Sequence, residues 1–301
     1  MKLARSDARF PPRLKAIFDP PRSLYLRGSG EPELLGRRAV GVVGARSCSP
    51  YGTQVARMLG RELAAAGLVV VSGLARGIDG EAHRGALESG GPTVGVLGCG
   101  IDRDYPAANA SLSRRMEDGG LVVSEYEAGV EPAPWRFPAR NRIIAGLCEA
   151  VVVVEARERS GALITAEHAM EFGRDVFAVP GSVASALSQV PLQLIREGAT
   201  LIRDADDLLG DLGIELVQAE IAERVDLDEA ERRVLEAIVE PTLPDRLASA
   251  LGVGIHEIVG VLMRLELRGF VRNVGGRYET TLTARRPRPD RAGRLAAIDE
   301  R

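Results

Sequence analysis

Short turns that contain glycine and arginine follow several apolar runs of the sequence. Arg46 comes two residues after Gly44, and Arg76 lies between Gly73 and Gly77. Small residues let backbone N–H groups approach a phosphate, and an arginine beside them adds a fork of donors. One such turn is weak evidence, because turns use glycine for their own geometry. Several of them at one edge of a sheet predict an anion-binding edge.

A second group of candidate residues lies between positions 135 and 144. Phe137, Arg140, Asn141 and Arg142 follow each other closely, and Trp135 precedes them. One interpretation is a proline-bent loop before a helix, with solvated arginines. The other is a platform for a single strand, on which aromatic faces stack on bases and arginines bind the backbone. Composition alone does not choose between the two.

Several signatures of small-molecule chemistry are absent from the sequence. Gly95, Gly98 and Gly100 do not have the spacing of a dinucleotide fingerprint, and no GxSxG nucleophile elbow occurs. A Walker A loop needs a lysine, but the only lysines are Lys2 and Lys15. We therefore expect neither a catalytic residue nor a bound cofactor.

The metal-binding residue types are also poorly placed. His256 and Glu257 begin like a zinc-protease motif, but Gly260 stands where the second histidine is needed. His83 and His168 lie in helical stretches, where structural roles are commoner than catalytic ones. The three cysteines lie about fifty residues apart and form no CxxC pair: Cys48, Cys99 and Cys148. We expect no metal site and a reducing, cytoplasmic environment.

The composition is typical of a folded globular chain. The 301 residues are 45% hydrophobic and 27% charged, with a formal net charge of −3. The length suits one large domain and a small one. All but two of the 39 basic residues are arginines. A nucleic-acid surface would have to be a local patch, and no apolar run is long enough for a signal peptide or a membrane span.

Apolar runs of strand length alternate with helical stretches from residue 39 onward. The runs are continuous, as expected for strands buried on both faces of a parallel sheet. They are Ala39–Val43, Leu68–Val71, Val94–Leu97, Leu121–Val123, Ala150–Val154 and Val176–Val179. The helical stretches are Thr53–Ala66, Glu81–Glu88, Asn109–Asp118, Asn141–Glu149 and Thr165–Phe172. This alternation predicts an α/β fold with a doubly wound, mostly parallel sheet.

A smaller unit is predicted after an acidic stretch. Amphipathic helices are expected over Asp228–Val239, Pro244–Leu251 and Ile255–Arg268, followed by a hairpin within Phe270–Thr280. Three helices and a hairpin are the pattern of a winged helix. The segment before residue 38, rich in arginine and proline, is expected to form an arm or a short lead-in strand.

Taken together and in order, these motifs closely resemble the DNA-processing family called DprA or Smf. The resemblance runs from about Ala39 to Ile202. It rests on the segments GVVGARSCSPYG, SGLARGIDGEAHRGAL, GVLGCGIDRDYPAAN, SEYEAG, FPARNRIIAGL, VVVVEA, SGALITAEHAMEFGRDVFAVPGS and REGATLI. Each segment alone is weak, but their combination is specific.

The resemblance implies an extended Rossmann-like core and a small winged-helix-like domain. It also implies single-stranded DNA binding, a homodimer, and loading of the recombinase RecA onto incoming strands that the protein protects during natural transformation. The expected domains are an N-terminal arm (1–37), a DNA-binding core (38–210), an acidic linker (211–227), a winged-helix-like domain (228–282) and a disordered basic tail (283–301).

The resemblance also assigns roles to individual residues. Arg46 and Arg140 are the expected phosphate contacts, Phe137 is the expected stacking residue, and Asp79 and Asp102 are expected to orient arginines or cap turns. The full set of expected DNA-binding residues is Gly44, Arg46, Ser72, Gly73, Arg76, Gly77, Phe137, Arg140, Asn141, Arg142, Ser160 and Gly161.

The sequence departs from the family pattern in two places. Relatives commonly carry a helical N-terminal domain, for which only a short arm stands here. The loop at 182–192 is more apolar than in the family.

Two alternatives from other functional classes remain. One is a nucleoside-monophosphate phosphoribohydrolase, in which Glu155 and Arg140 would polarise a sugar, although its Pro-Gly-Gly-x-Gly-Thr signature is absent at Pro180-Gly181-Ser182. The other is a transcription factor that reads DNA with the helix Ile255–Arg268. That helix carries two arginines against two glutamates, which favours a protein-contact role for the smaller domain.

Overall fold

A computed structural model describes residues 1–214, 227–238, 241–268 and 270–280. The chain divides into two units, Met1–Leu216 and Val217–Arg301. Most of the predicted acidic linker and the whole of the predicted basic tail lie outside the described residues.

One mixed sheet of nine strands organises the larger unit. The strands are β1 (Lys2–Ala4), β2 (Ser23–Arg27), β3 (Ala39–Val43), β4 (Val69–Ser72), β5 (Thr93–Gly100), β6 (Leu121–Tyr126), β7 (Ala150–Val153), β8 (Asp175–Ala178) and β9 (Thr200–Leu201). Their order is β1-β2-β6-β5-β4-β3-β7-β8-β9. All neighbours from β6 to β9 are parallel, whereas β2 pairs antiparallel with both β1 and β6.

Helices cover both faces of this sheet. They are α1 (Pro12–Lys15), α2 (Pro50–Ala65), α3 (Ile78–Glu88), α4 (Ala110–Glu117), α5 (Arg136–Leu147), α6 (Gly161–Glu171), α7 (Gln189–Arg196) and α8 (Ala205–Asp211). Successive residues of a strand face opposite sides of the sheet. On one side, Val123 of β6 belongs to a core cluster with residues of α5 and α6. Val122 instead packs with Leu112 and Met116 of α4. The predicted doubly wound α/β fold is confirmed.

The N-terminal segment, expected to form an arm or a short lead-in strand, forms two strands. β1 and β2 extend the sheet beyond β6, and Leu24 and Leu26 of β2 are buried. The alternation of buried and half-buried residues in β2 is that of a strand near a sheet edge, whereas the strands predicted from the sequence are continuous apolar runs. The five prolines of this segment lie outside both strands, so they do not prevent pairing.

The smaller unit has the predicted arrangement of three helices and a hairpin. The helices are α9 (Glu229–Ala237), α10 (Pro244–Leu251) and α11 (Ile255–Leu267), and the hairpin strands are β10 (Val271–Val274) and β11 (Arg277–Thr280). Gly252 ends α10 in the left-handed region with φ +69°. The three helices share one core, in which Val234 of α9, Leu247 of α10 and Leu262 of α11 are buried.

No single helix among the described residues has both the length and the apolar composition needed to cross a membrane. Only α10 and α11 taken together meet that requirement, and they do so across a bend of 115°.

The close packing of α2 on α3 yields a stability prediction. A Cβ atom at Gly60 would lie 2.1 Å from the carbonyl oxygen of Ala82, which is a backbone atom of α3. We expect Gly60→Ala to destabilise the protein by about 1–3 kcal/mol, because the helices would have to separate. The melting temperature should fall by about 2–4 °C per kcal/mol.

Gly210→Ala is the matched control for this experiment. Gly210 also lies in a helix, but a Cβ atom there meets nothing within 4 Å. Its replacement should leave the melting temperature unchanged or slightly raised, because alanine favours helix. Equal melting temperatures for the two variants, measured by circular dichroism, would contradict the proposed close contact.

Candidate nucleic-acid interface

The direction of strand addition reverses at β3, which has β4 on one side and β7 on the other. In open α/β sheets, ligands bind beyond the carboxyl ends of the strands at such a point. The turns after β3, β4 and β5 carry the glycines and arginines singled out in the sequence. The topology therefore brings these turns to one edge of the sheet, as predicted.

Two adjoining cavities of about 210 and 550 Å³ lie at this edge. We call them together the edge groove. Both are lined by Arg46, Ala75, Tyr105, Phe137 and Arg140. Of the other expected residues, the smaller cavity adds Gly73 and Arg76, and the larger adds Gly44, Asn141, Ser160 and Gly161.

A stack of three side chains forms the wall of the edge groove. The ring of Phe137 lies 5.2 Å from the ring of Tyr105, with 24° between their planes. The guanidinium carbon of Arg46 lies 5.5 Å from the centre of the Phe137 ring. The stack leaves Phe137 half-buried and Arg46 exposed. Aromatic and cationic groups thus face the same space, which suits a base and its phosphate.

Phe137 lies in a helix rather than in the predicted loop. α5 begins at Arg136, so Pro138 stands in its first turn. The first N–H groups of a helix have no partner within it, so proline is tolerated there. The helix consequently fixes the direction of the Phe137 side chain, which a loop would not do.

Arg140 is buried and holds backbone groups together. Its guanidinium donates to the carbonyl oxygen of Gly73 at 2.8 Å and to that of Val96, while its Nε donates to Oδ1 of Asn141 at 3.2 Å. Burial lowers the pKa of Arg140 to about 10, although Asp79 acts in the opposite direction. The Nη1 and Nε donors of Arg140 are therefore engaged within the protein, although the side chain also lines both cavities. Arg140 as a phosphate contact stays a prediction.

Asp79 completes this buried network. Its Oδ2 accepts a hydrogen bond from the N–H of Gly73 at 3.1 Å, and burial raises the pKa of its carboxyl group. A Cβ atom at Gly73 would lie 2.5 Å from Nη2 of Arg140 and 2.7 Å from Oδ2 of Asp79, so only glycine fits between them. Asp102 accepts from the N–H of Gly129 at 2.9 Å. Both aspartates thus fix turns, as expected.

Arg142 and Asn141 also make internal contacts. Arg142 donates to Glu125 at 2.7 and 3.0 Å and to the carboxylate of Asp19 at 3.1 Å, so its charge is already paired. The amide of Asn141 donates to the carbonyl oxygen of Gly161 at 2.9 Å. Arg142 does not line the edge groove, whereas Asn141 lies in its wall.

The remaining expected residues shape the turns. The hydroxyl of Ser72 is buried and donates to the carbonyl oxygen of Val42 at 2.6 Å, which ties β4 to β3. Gly77 has φ +74°, a conformation that favours glycine, and precedes α3. Ser160 is the N-cap of α6, and its buried Oγ has no hydrogen-bond partner among the described residues.

Arg46 and Arg76 are the free cations of the expected set. Both are exposed, and neither forms an ion pair with a residue in the described part of the chain. Arg159 at the rim of the larger cavity is likewise exposed and was not predicted. Exposed, unpaired guanidinium groups are available to bind phosphate oxygens.

The set of expected DNA-binding residues did not include Tyr105 and Asn109. Tyr105 stacks on Phe137, and Asn109 donates to the carbonyl oxygens of Leu74 and Ala75 at 2.9 Å each. Both lie shortly after β5 in the segment DYPAAN. Their position beyond the carboxyl end of a predicted strand was the signal that could have identified them.

The N-terminus of α2, which follows the turn after β3, is already occupied by a side chain of the protein. Glu155 is buried, and its carboxylate accepts from the N–H of Ser49 at 2.8 Å and from the Ser49 hydroxyl at 2.5 Å, where α2 begins. This helix end is where a Rossmann sheet holds a nucleotide phosphate. A carboxylate of the protein itself occupies that position.

In the smaller unit, α11 presents an apolar stripe instead of a basic face. Exposed side chains recur every four residues at Ile255, Val259, Met263 and Leu267, with 88% of Leu267 accessible. Helices that read the major groove carry polar and basic side chains on the face that enters the groove. α11 therefore lacks the chemistry of a DNA-reading helix.

The occupied donors of Arg140 lead to a second stability prediction. Arg140→Ala should lower the free energy of unfolding by about 3–5 kcal/mol, because it leaves Asp79 as a buried charge without its cation. Arg46→Ala is the control: this exposed arginine should cost less than about 1 kcal/mol. Thermal unfolding measures both variants, and equal melting temperatures would contradict the bracing role of Arg140.

Two family models match the chain. The model of the DNA recombination-mediator protein A matches residues 2–213, and that of the DprA winged helix domain matches residues 218–277. The first match includes β1 and β2, so these strands belong to the matched domain. The second match agrees with the three helices and the hairpin of the smaller unit.

Individual relatives agree with these models. The DNA processing protein DprA of Streptococcus pneumoniae is 47% identical over 205 residues, which are 68% of this chain and 72% of the relative. Protein Smf of Escherichia coli is 38% identical over 287 residues, 92% of this chain and 76% of the relative.

Solved structures lead to the same family. The X-ray structure of the S. pneumoniae protein has a TM-score of 0.67 and 45% identity, and the match covers 70% of this chain and 74% of that one. DNA processing protein A of Helicobacter pylori, described with its single-stranded DNA binding mode, has a TM-score of 0.61 and 31% identity, over 67% and 92% of the two chains. The chain therefore belongs to the DNA recombination-mediator protein A family, whose curated members are named DprA and Smf.

Proposed function

We propose that this chain binds single-stranded DNA in the edge groove and acts there as a recombination mediator, without a chemical step of its own. The observation that carries the proposal is the exposed, unpaired Arg46 stacked on Phe137 at the point where strand addition reverses. A phosphate at Arg46 would place the adjoining base close to the Phe137 and Tyr105 rings. The H. pylori relative supports the same ligand class.

The groove supports binding to the backbone rather than reading of base edges. Arg46 and Arg76 supply two guanidinium groups, and Arg159 a third at the rim, whereas aromatic faces accept any base. Ser160 contributes a buried hydroxyl without a partner among the described residues, and Gly44 and Gly161 line the larger cavity without a side chain. We infer that affinity falls with salt and varies little with sequence.

The contacts found here weaken the case for a phosphoribohydrolase. That mechanism would need Glu155 and Arg140 to polarise a sugar, but Glu155 is held by Ser49, and Arg140 is held by the carbonyl oxygens of Gly73 and Val96. A nucleotide phosphate at the start of α2 would also meet the Glu155 carboxylate. The phosphate and the carboxylate are both negative, so they would repel each other.

Family membership is the basis for proposing a wider role. We propose that the chain protects incoming single strands and loads RecA onto them during natural transformation, as a homodimer in the cytoplasm. The unpaired state of Cys48, Cys99 and Cys148 suits a reducing compartment. The apolar stripe on α11 supports a protein-contact role for the winged-helix-like unit, because its side chains offer little to a phosphate backbone.

Reversing one charge in the groove tests the proposed site. Arg46→Glu should weaken binding to a labelled oligonucleotide by about 10- to 100-fold at moderate salt, because a phosphate contact becomes a repulsion. The slope of log affinity against log salt concentration should decrease in magnitude by about one, which corresponds to the loss of one phosphate contact. Fluorescence anisotropy over a salt series measures both quantities.

Arg196→Glu is the control with the same change of charge. Arg196 is exposed at the end of α7, which runs back from the carboxyl edge of the sheet. The affinity of the Arg196→Glu variant for the oligonucleotide should stay within about twofold of that of the parent chain, because salt screens most of the effect of a distant charge. Both variants should melt like the parent chain. Parent-like binding by Arg46→Glu would place the site elsewhere.

A further inference from the structure

A second aromatic stack lies beside the edge groove but outside it. The guanidinium carbon of Arg136 lies 4.9 Å from the centre of the Trp135 ring and 5.0 Å from that of Tyr126. Arg136 also donates to the carbonyl oxygen of Glu131. Arg136 is thus held by both rings and a backbone contact.

One end of this stack faces solvent. Trp135 is 62% exposed, although tryptophan is a residue that folded proteins bury. Arg136 and Tyr126 are half-buried. The stack therefore presents a broad aromatic face backed by a positive charge, a combination that favours a planar, electron-rich ligand carrying a negative charge.

The position of the stack continues the line of the edge groove. Tyr126 ends β6, the neighbour of β5, and Trp135 precedes Phe137 by two residues. Consecutive Cα atoms are about 3.8 Å apart, so those of Trp135 and Phe137 lie within about 7.6 Å of each other. Successive phosphates of a nucleic-acid strand are spaced by about 3.4 Å or more along its axis. One or two nucleotides therefore suffice to pass from Phe137 to Trp135.

We infer that the exposed face of Trp135 stacks on a base of the same DNA strand, one or two nucleotides from the base at Phe137. This inference rests on the proposed function, since it extends that binding site toward β6. The charge on Arg136 favours the nearby phosphate, and the ring accepts any of the four bases. A protein partner at Trp135 is the competing occupant, and the experiment below separates the two.

The sequence supplies its own reporter for the test. Trp135 is the only tryptophan of the chain, so the intrinsic tryptophan emission reports on this side chain alone. The parent chain is titrated with unlabelled oligothymidylate, and binding is followed in parallel by anisotropy of a labelled strand. We expect the emission to be quenched along the same binding curve. An abasic strand of equal length should bind more weakly and leave the emission unchanged.

Three variants separate stacking from general effects. Trp135→Ala should weaken binding by about 5- to 100-fold, as expected for loss of one base stack. Trp135→Phe should retain affinity within about threefold, because a ring remains. Phe18→Ala is the matched control, since Phe18 is an aromatic side chain that is 99% exposed and does not line the edge groove. It should bind like the parent chain.

The possible outcomes distinguish this inference from the proposed function. Binding by anisotropy with unchanged tryptophan emission, or equal affinity for Trp135→Ala and the parent, would overturn the role of Trp135 and leave the edge groove as the site. Equal quenching by the abasic strand would overturn base stacking as well. Absence of binding to any single strand would overturn the proposed function, and this inference with it.

Discussion

The buried guanidinium of Arg140 is the interaction on which the candidate site depends. It joins α5 to the carbonyl oxygens of Gly73 and Val96, which belong to neighbouring strands and their turns. Because the same helix begins at Arg136, this contact also fixes Phe137 against Tyr105. The cost of burying the charge is offset by hydrogen bonds and by Asp79, whose own carboxylate holds the turn after β4. A rigid wall for the groove is the result.

Local charge, rather than overall charge, decides what the groove can bind. The formal net charge of the chain is −3, and many arginines are paired, such as Arg142 with Glu125. Arg46 and Arg76 remain exposed at the carboxyl edge of the sheet, while Glu155 fills the helix end that a mononucleotide phosphate would use. This distribution favours an extended polyanion over a small nucleotide.

The sequence was sufficient to predict the central strands and the edge at which the turns meet, because continuous apolar runs and glycine-rich turns are local signals. At most one lead-in strand was expected before residue 38, because the buried residues of β2 alternate and give no continuous apolar run. The internal contacts of Arg140 were not predicted, because an arginine beside an aromatic residue has the same composition whether it points to solvent or into the fold. Burial of Arg140 depends on the carbonyl groups of Gly73 after β4 and of Val96 in β5, which no local pattern encodes. The same is true of Tyr105, which meets Phe137 only after folding.

The most direct test of the central claim compares single-stranded with duplex DNA in a single anisotropy experiment over a salt series, with nucleoside monophosphates as competitors. The groove of Arg46 and Phe137 predicts preference for the single strand, affinity that falls with salt, and little competition from mononucleotides. No strand preference, or displacement of the strand by millimolar nucleoside monophosphate, would contradict the account and favour a small-nucleotide site.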